Sequence, residues 1–189
     1  NIGCIAINVR LPETGRYDGK APLILITPTF FTPPSYSANF TTESVAIDKI
    51  GAIEVNLLLP SRCIRAVDGV ELTDEICSEG DKEQGGEQSQ QAMYAALRYM
   101  LGTKTDAKGD SITDTFTNAD TSNVGIFAFS HPGFLANTTL ANWGSYLEDV
   151  DYTVMRENPT QPLFASVELG DVLEDHGCND YYEFSADHS

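Results

Sequence analysis

The sequence predicts an α/β fold in which a mostly parallel sheet is joined by crossover helices. Three observations predict it. The run Leu23 to Thr27 is apolar without alternation, as expected of a strand buried on both faces. Strand-like and helix-like segments alternate along the chain, which is the pattern of βαβ units. A further apolar run, Val124 to Phe129, passes through a sharp Ser-His-Pro-Gly turn into a segment of helical character, Phe134 to Asn142.

Taken in order, Cys4 to Leu11 reads as a strand closed by the turn residues Pro12 to Gly15. A second strand lies within Ala21 to Phe31, and Thr32 to Phe40 is a Pro- and Ser-bearing loop. Thr41 to Ile50 has the makings of a short helix, with Thr41 or Thr42 as N-cap and Glu43 in its first turn. Ala52 to Leu59 is a strand stopped by Pro60, and Ser61 to Gly86 is a long, polar, acidic loop. In Glu87 to Leu101 the residues Ala92, Met93, Ala96, Leu97, Met100 and Leu101 recur at helical spacing, with Gly102 where a C-cap belongs. Thr103 to Asn123 reads as a polar loop and Val150 to Met155 as a strand broken by Arg156 to Pro162. From Leu163 to Ser189 the chain is acidic and aromatic with no clear period, an irregular tail or lid. The whole, 1–189, is expected to be a single domain.

The formal charge of −17 argues against nucleic acid or an anionic membrane as partner. No apolar run approaches the roughly 20 residues of a membrane span. The four cysteines, Cys4, Cys63, Cys77 and Cys178, include no C-x-x-C pair, so no thiolate metal site is expected. Three pairings are open, of which Cys63 with Cys77 and Cys4 with Cys178 is preferred. Sequons at Asn39 and Asn137, together with the even cysteine count, lean toward an extracellular or otherwise extracytoplasmic, glycosylated protein. A start at Asn1 fits a mature or trimmed chain.

The chemistry is expected at Ser130. A serine on a tight turn between strand and helix lifts its hydroxyl above the sheet, and the next backbone N–H groups face an anion. In a parallel sheet the ligand crevice lies beyond the carboxyl ends of the strands. That rim collects Thr27 to Phe31, Leu59 to Cys63 and Ser130 to Gly133.

From about Ile5 to about Pro159 the chain resembles the middle of an α/β-hydrolase of the dienelactone-hydrolase or acyl-peptidase-like kind. The likeness rests on Pro22 to Thr27 leading to Pro28-Thr29-Phe30-Phe31, on Glu79-Gly80-Asp81 and Gly85-Gly86-Glu87, and on Val124 to Gly133. It implies a truncated three-layer sandwich with Ser130 as nucleophile. The backbone N–H of His131 would be one oxyanion donor, and Thr29 or Phe30 would supply another. Ala128 and Pro132 stand where the family has glycines around the serine.

The family's acid and histidine follow the serine at a distance, and after Ser130 only His131, His176 and His188 are candidates. His131 is too close in sequence to serve as base, and an aspartate directly before His176 or His188 is not the orienting geometry of a triad. Two functions stay open. One is serine-dependent cleavage of an ester or amide in a small molecule or peptide, by a sheet completed by missing segments or a second chain. The other is a non-catalytic extracellular structural or binding subunit, a homo-oligomer or polymer former. No cofactor is expected. Asp106, Asp110, Asp114 and Asp120 are acidic enough for calcium, but their order departs from a calcium loop. Phe30, Phe31, Phe134 and Trp143 are candidates for lining an acyl pocket.

Overall fold

The computed structural model describes residues 3–12, 19–27, 35–38, 49–67, 70–81, 86–129 and 131–156. These contain strands β1 Ile7–Arg10, β2 Ala21–Ile26, β3 Ser35–Ala38, β4 Ile53–Leu57, β5 Cys63–Val67, β6 Val70–Cys77, β7 Ala119–Phe129 and β8 Val150–Arg156. They also contain helices α1 Glu87–Met100, α2 Ile112–Thr115 and α3 His131–Trp143.

The main sheet runs in the order β1-β4-β2-β7-β8. β2 pairs parallel with both β4 and β7, β8 pairs parallel with β7, and β1 lies antiparallel along β4. The fold class is therefore the expected one, α/β with a mostly parallel sheet. Its core follows from the two-residue period of strands. Leu23 and Leu25 of β2, Ile53, Val55 and Leu57 of β4, and Val124, Ile126 and Ala128 of β7 share one face and are buried there. Onto that face α1 lays Ala92, Met93, Ala96, Leu97 and Met100, and α3 adds Leu135 and Ala136. The other face carries a smaller cluster of Ile24 and Ala52 with Ile26, Phe127 and Tyr152 packed against it. Of the helix expected at Thr41 to Ile50, only Lys49 and Ile50, both helical, lie within the described residues.

Helix α1 stops where expected. Gly102 takes φ 70°, and its N–H donates to Tyr99 O at 3.0 Å, a left-handed cap that a side chain would strain. Helix α3 begins earlier than expected, at His131 instead of Phe134. Pro132 fits there because a first helical turn needs no intrahelical N–H donor.

Two loops of the sequence reading are corrected. Thr32 to Phe40 contains β3, and Ser61 to Gly86 contains β5 and β6, which form a separate sheet in the order β3-β5-β6. Cys63 and Cys77 face each other across the β5–β6 pair and are disulfide-bonded, as preferred. The pairing of the antiparallel strands, rather than loop closure, brings them together. Cys4 is free and exposed, and its expected partner Cys178 lies outside the described residues. The polar stretch Thr103 to Asn123 also holds structure. A Ser111/Asp114 capping box starts α2, and β7 begins at Ala119. The expected tail or lid, 163–189, lies outside the described residues.

Buried Ser78 joins the two sheets. Its hydroxyl donates to Leu58 O at 2.9 Å and accepts the Ala6 N–H at 2.9 Å, while its own N–H donates to Arg62 O at 2.9 Å. Alanine there would orphan the buried Leu58 carbonyl and the half-buried Ala6 N–H at once. Ser78→Ala is expected to cost about 1–3 kcal/mol, read as a lower urea midpoint with an unchanged slope. A loss within error would show that the two groups find other partners.

Candidate functional site

The order of the strands decides where a ligand fits. From β2 the chain passes to β4 on one side and later returns to β7 on the other. The sheet reverses direction of travel at β2, and a crevice opens above the carboxyl ends at such a switch point. Thr27 follows the end of β2, Leu58 to Arg62 follow β4, and β7 ends at Phe129. The described part of the rim is therefore drawn from the three places the sequence indicated.

Ser130 is the one residue between the end of β7 and the start of α3; its own placement lies outside the described residues. Strand, one residue and helix in immediate succession is the layout that a serine nucleophile on a sharp turn requires. Helix α3 points its N-terminus at this place. Of its first three residues, His131 and Gly133 carry an N–H and Pro132 does not, so the helix start has one donor fewer than usual. Pro132 and Gly133 are both buried beneath it. Thr29 and Phe30, expected in the oxyanion loop, lie outside the described residues, as do His176 and His188.

Thr27 was not singled out by the sequence as a side chain. It is 5% exposed, and its hydroxyl oxygen makes no hydrogen bond among the described residues. The signal available was a polar residue closing an otherwise apolar strand run at the rim.

Trp143 is removed from the acyl-pocket candidates. It lies at the far end of α3, about 18 Å along the axis from His131 at 1.5 Å per residue. There it stacks on Tyr94 of α1, with ring centroids 5.5 Å apart. Phe134, in the first turn of α3, is half-buried near the rim; Phe30 and Phe31 lie outside the described residues.

Three of the four aspartates considered for calcium, Asp106, Asp114 and Asp120, are committed to nearby N–H and hydroxyl groups. Asp106 accepts the N–H groups of Lys108 at 2.8 Å and Asp110 at 2.9 Å, and these bonds hold its carboxyl below the usual value. Asp114 is lowered by the Ser111 hydroxyl and N–H. Asp120 accepts from Ser122 through both N–H and hydroxyl. Among the described residues these carboxylates do not gather three together at ligand distance; the group that does is Cys63, Glu75 and Cys77, whose sulfurs are tied in the disulfide. Of the sequons, Asn137 is exposed on α3 and Asn39 lies outside the described residues.

A polar cluster the sequence reading passed over sits on the sheet face away from α1 and α3. Glu54 is 2% exposed, accepts from Asn56 Nδ2 at 2.6 Å and lies 3.8 Å from an Arg10 nitrogen. Glu54 and Asn56 alternate with Ile53, Val55 and Leu57 along β4, and that alternation was the available signal. A buried, paired carboxylate on β4 has a structural role as an ion pair with the edge strand β1.

No family model matches the chain, and no curated protein does. Among solved structures it is similar to a thermostable esterase from Pseudomonas putida ECU1011, with 10% identity and a TM-score of 0.41 over 77% of this chain and 41% of that one. It is also similar to esterase Est22, with 11% identity and a TM-score of 0.44 over 81% of this chain and 43% of that one. The chain spans less than half the length of these enzymes. The likeness is to esterases in general and does not single out the dienelactone-hydrolase or acyl-peptidase branch. The architecture is α/β, a mostly parallel sheet with helices packed on it.

Proposed function

We propose that this chain is a serine hydrolase-type domain that cleaves a carboxylic ester, or a related acyl bond such as an amide, through Ser130. The observation that carries the reading is the position of residue 130, between a central parallel strand and a helix N-terminus at the switch point of the sheet. In this chemistry the Ser130 oxygen adds to the acyl carbon, its proton passes to a base, and the carbonyl electron pair collects on oxygen. Collapse breaks the bond to the alcohol, which takes the proton, and water then releases the acid from the acyl-serine. The oxyanion meets the His131 N–H at the start of α3, with Thr29 or Phe30 as the second backbone donor. In this reading the acid and base come from segments or a second chain that complete the sheet.

The Cys63–Cys77 bond supports an oxidising, extracytoplasmic setting, and no helix among the described residues is long and apolar enough to cross a membrane. The test is covalent labelling of the full chain by a fluorophosphonate probe. Labelling that disappears in Ser130→Ala, with the circular dichroism spectrum unchanged, is the expected result. A folded chain that takes up no probe would sink the reading and leave a non-catalytic use of the same fold.

A further inference from the structure

We infer that the Thr27 side chain supplies a further oxyanion donor at this rim, its hydroxyl hydrogen-bonding to the acyl oxygen of a bound ester. The inference rests on the reading of Ser130 as nucleophile and adds to it a residue that neither sequence nor resemblance assigned.

Two observations carry it independently. The first is a buried hydroxyl without a partner. Thr27 is 5% exposed and its Oγ1 makes no hydrogen bond, although burying a hydroxyl unpaired is costly and buried polar groups are nearly always satisfied. Alternation along β2 puts Thr27 on the face of Leu23 and Leu25, the face that α3 covers. Ile26 is in register with Phe127, so Thr27 stands level with Ala128, at the base of the β7-to-α3 turn. Its hydroxyl is thus on the side and at the height where the turn offers an anion site. Thr139 Oγ1 is also unpaired, but it sits in the middle of α3, away from the rim.

The second observation is the donor count at the helix start. Pro132 removes one N–H from the first turn of α3, at the end where negative charge would collect. A hydroxyl on the neighbouring strand restores a donor there. Toward an alkoxide or carbonyl oxygen the hydroxyl donates its O–H, and its lone pairs stay free to accept from neighbouring donors.

Two substitutions on the full chain test this, with hydrolysis of a p-nitrophenyl ester and the urea midpoint as readouts. Thr27→Val keeps the shape and deletes the hydroxyl; Thr27→Ser keeps the hydroxyl. The expected result is kcat about a hundredfold lower in Thr27→Val, the size of losing one oxyanion donor. KM should barely move, Thr27→Ser should recover most of the rate, and the midpoint of Thr27→Val should be no lower than that of the parent, because the hydroxyl has no partner inside the protein. Equal rates for parent and Thr27→Val overturn the inference while leaving Ser130 in place. A slow Thr27→Val with a lowered midpoint overturns it too, since the hydroxyl would then be a structural bond. A parent without Ser130-dependent turnover removes the proposed function, and this inference with it.

Discussion

Leu25→Ala is expected to remove about 2–5 kcal/mol of stability, the range for emptying a well-packed site. Leu25 is fully buried in the middle strand of the sheet. It is flanked in register by Val55 of β4 on one side and Ile126 of β7 on the other, themselves fully buried. Both neighbours belong to strands held by ladders of hydrogen bonds, so they cannot move in to fill the space. A domain of this kind has about 5–15 kcal/mol in all, so the loss is a large share of it. The measurement is the urea midpoint, with the slope unchanged if the native state keeps its compactness. A cost under about 1 kcal/mol, below the cavity range, would mean that β2 is not the central strand.

Gly125→Val is expected to be the next most damaging change. A Cβ at Gly125 would lie within 2.1 Å of the Tyr152 ring, which closes over the bare backbone from β8. The ring has to leave, exposing the apolar surface it covers beside Ile24, Ile26 and Phe127. Overpacking of this kind costs about 1–3 kcal/mol. The lost burial of the ring adds to it. Partial burial of the tyrosine, helped by the Asp151 charge, raises its phenol above the usual value. Removing the ring should relieve the clash, so Gly125→Val in a Tyr152→Ala background should cost less than in the parent. A double-mutant cycle measures that coupling; additive losses would show that the two side chains do not compete for one space.

The legible parts of this fold are those whose pattern is local. Leu23 to Thr27 announced a strand buried on both faces, and the spacing of Ala92, Met93, Ala96, Leu97 and Met100 announced a helix with one apolar stripe. The β5–β6 pair went unseen because β6 is largely polar and exposed along most of its length, so that the acidic composition of Ser61 to Gly86 read as loop. Its signal was present in part: Asp68-Gly69 stands between Cys63-Ile64-Arg65-Ala66-Val67 and a run that opens with the alternation Val70-Glu71-Leu72-Thr73. An Asp-Gly pair between alternating runs is a strong hairpin cue. The front half of β7, Ala119 to Asn123, was hidden for a related reason: it is mostly polar and joins β2 across a register shift at Pro22 and Leu23. The bulge where β8 skips Asp151, whose carboxylate takes the Val124 N–H at 2.9 Å, could not be read at all. Such pairings are decided between strands.

The candidate site divides in the same way. Strand, serine and helix could be located from residue type alone, and the rim follows from parallel connectivity. The unpaired state of Thr27 could not. A hydroxyl's partners are a property of three-dimensional neighbours, and sequence alone gives no access to them.

The bonds made by Ser78 and Glu79 bear on the history of the molecule as it forms. Ala6 reaches Ser78 across 72 positions, and Cys4 and Glu79 bond each other twice, N–H to carboxylate at 3.0 Å and N–H to carbonyl at 2.8 Å. A ribosome delivers β1 before β4, with which it pairs, and the groups that bond Cys4 and the Ala6 N–H come out later still, after β6 has been made. The segment before β1 must therefore wait for Ser78 and Glu79 after β4 is already in place beside β1, and closing so long a loop is among the slower events available to a chain of this size.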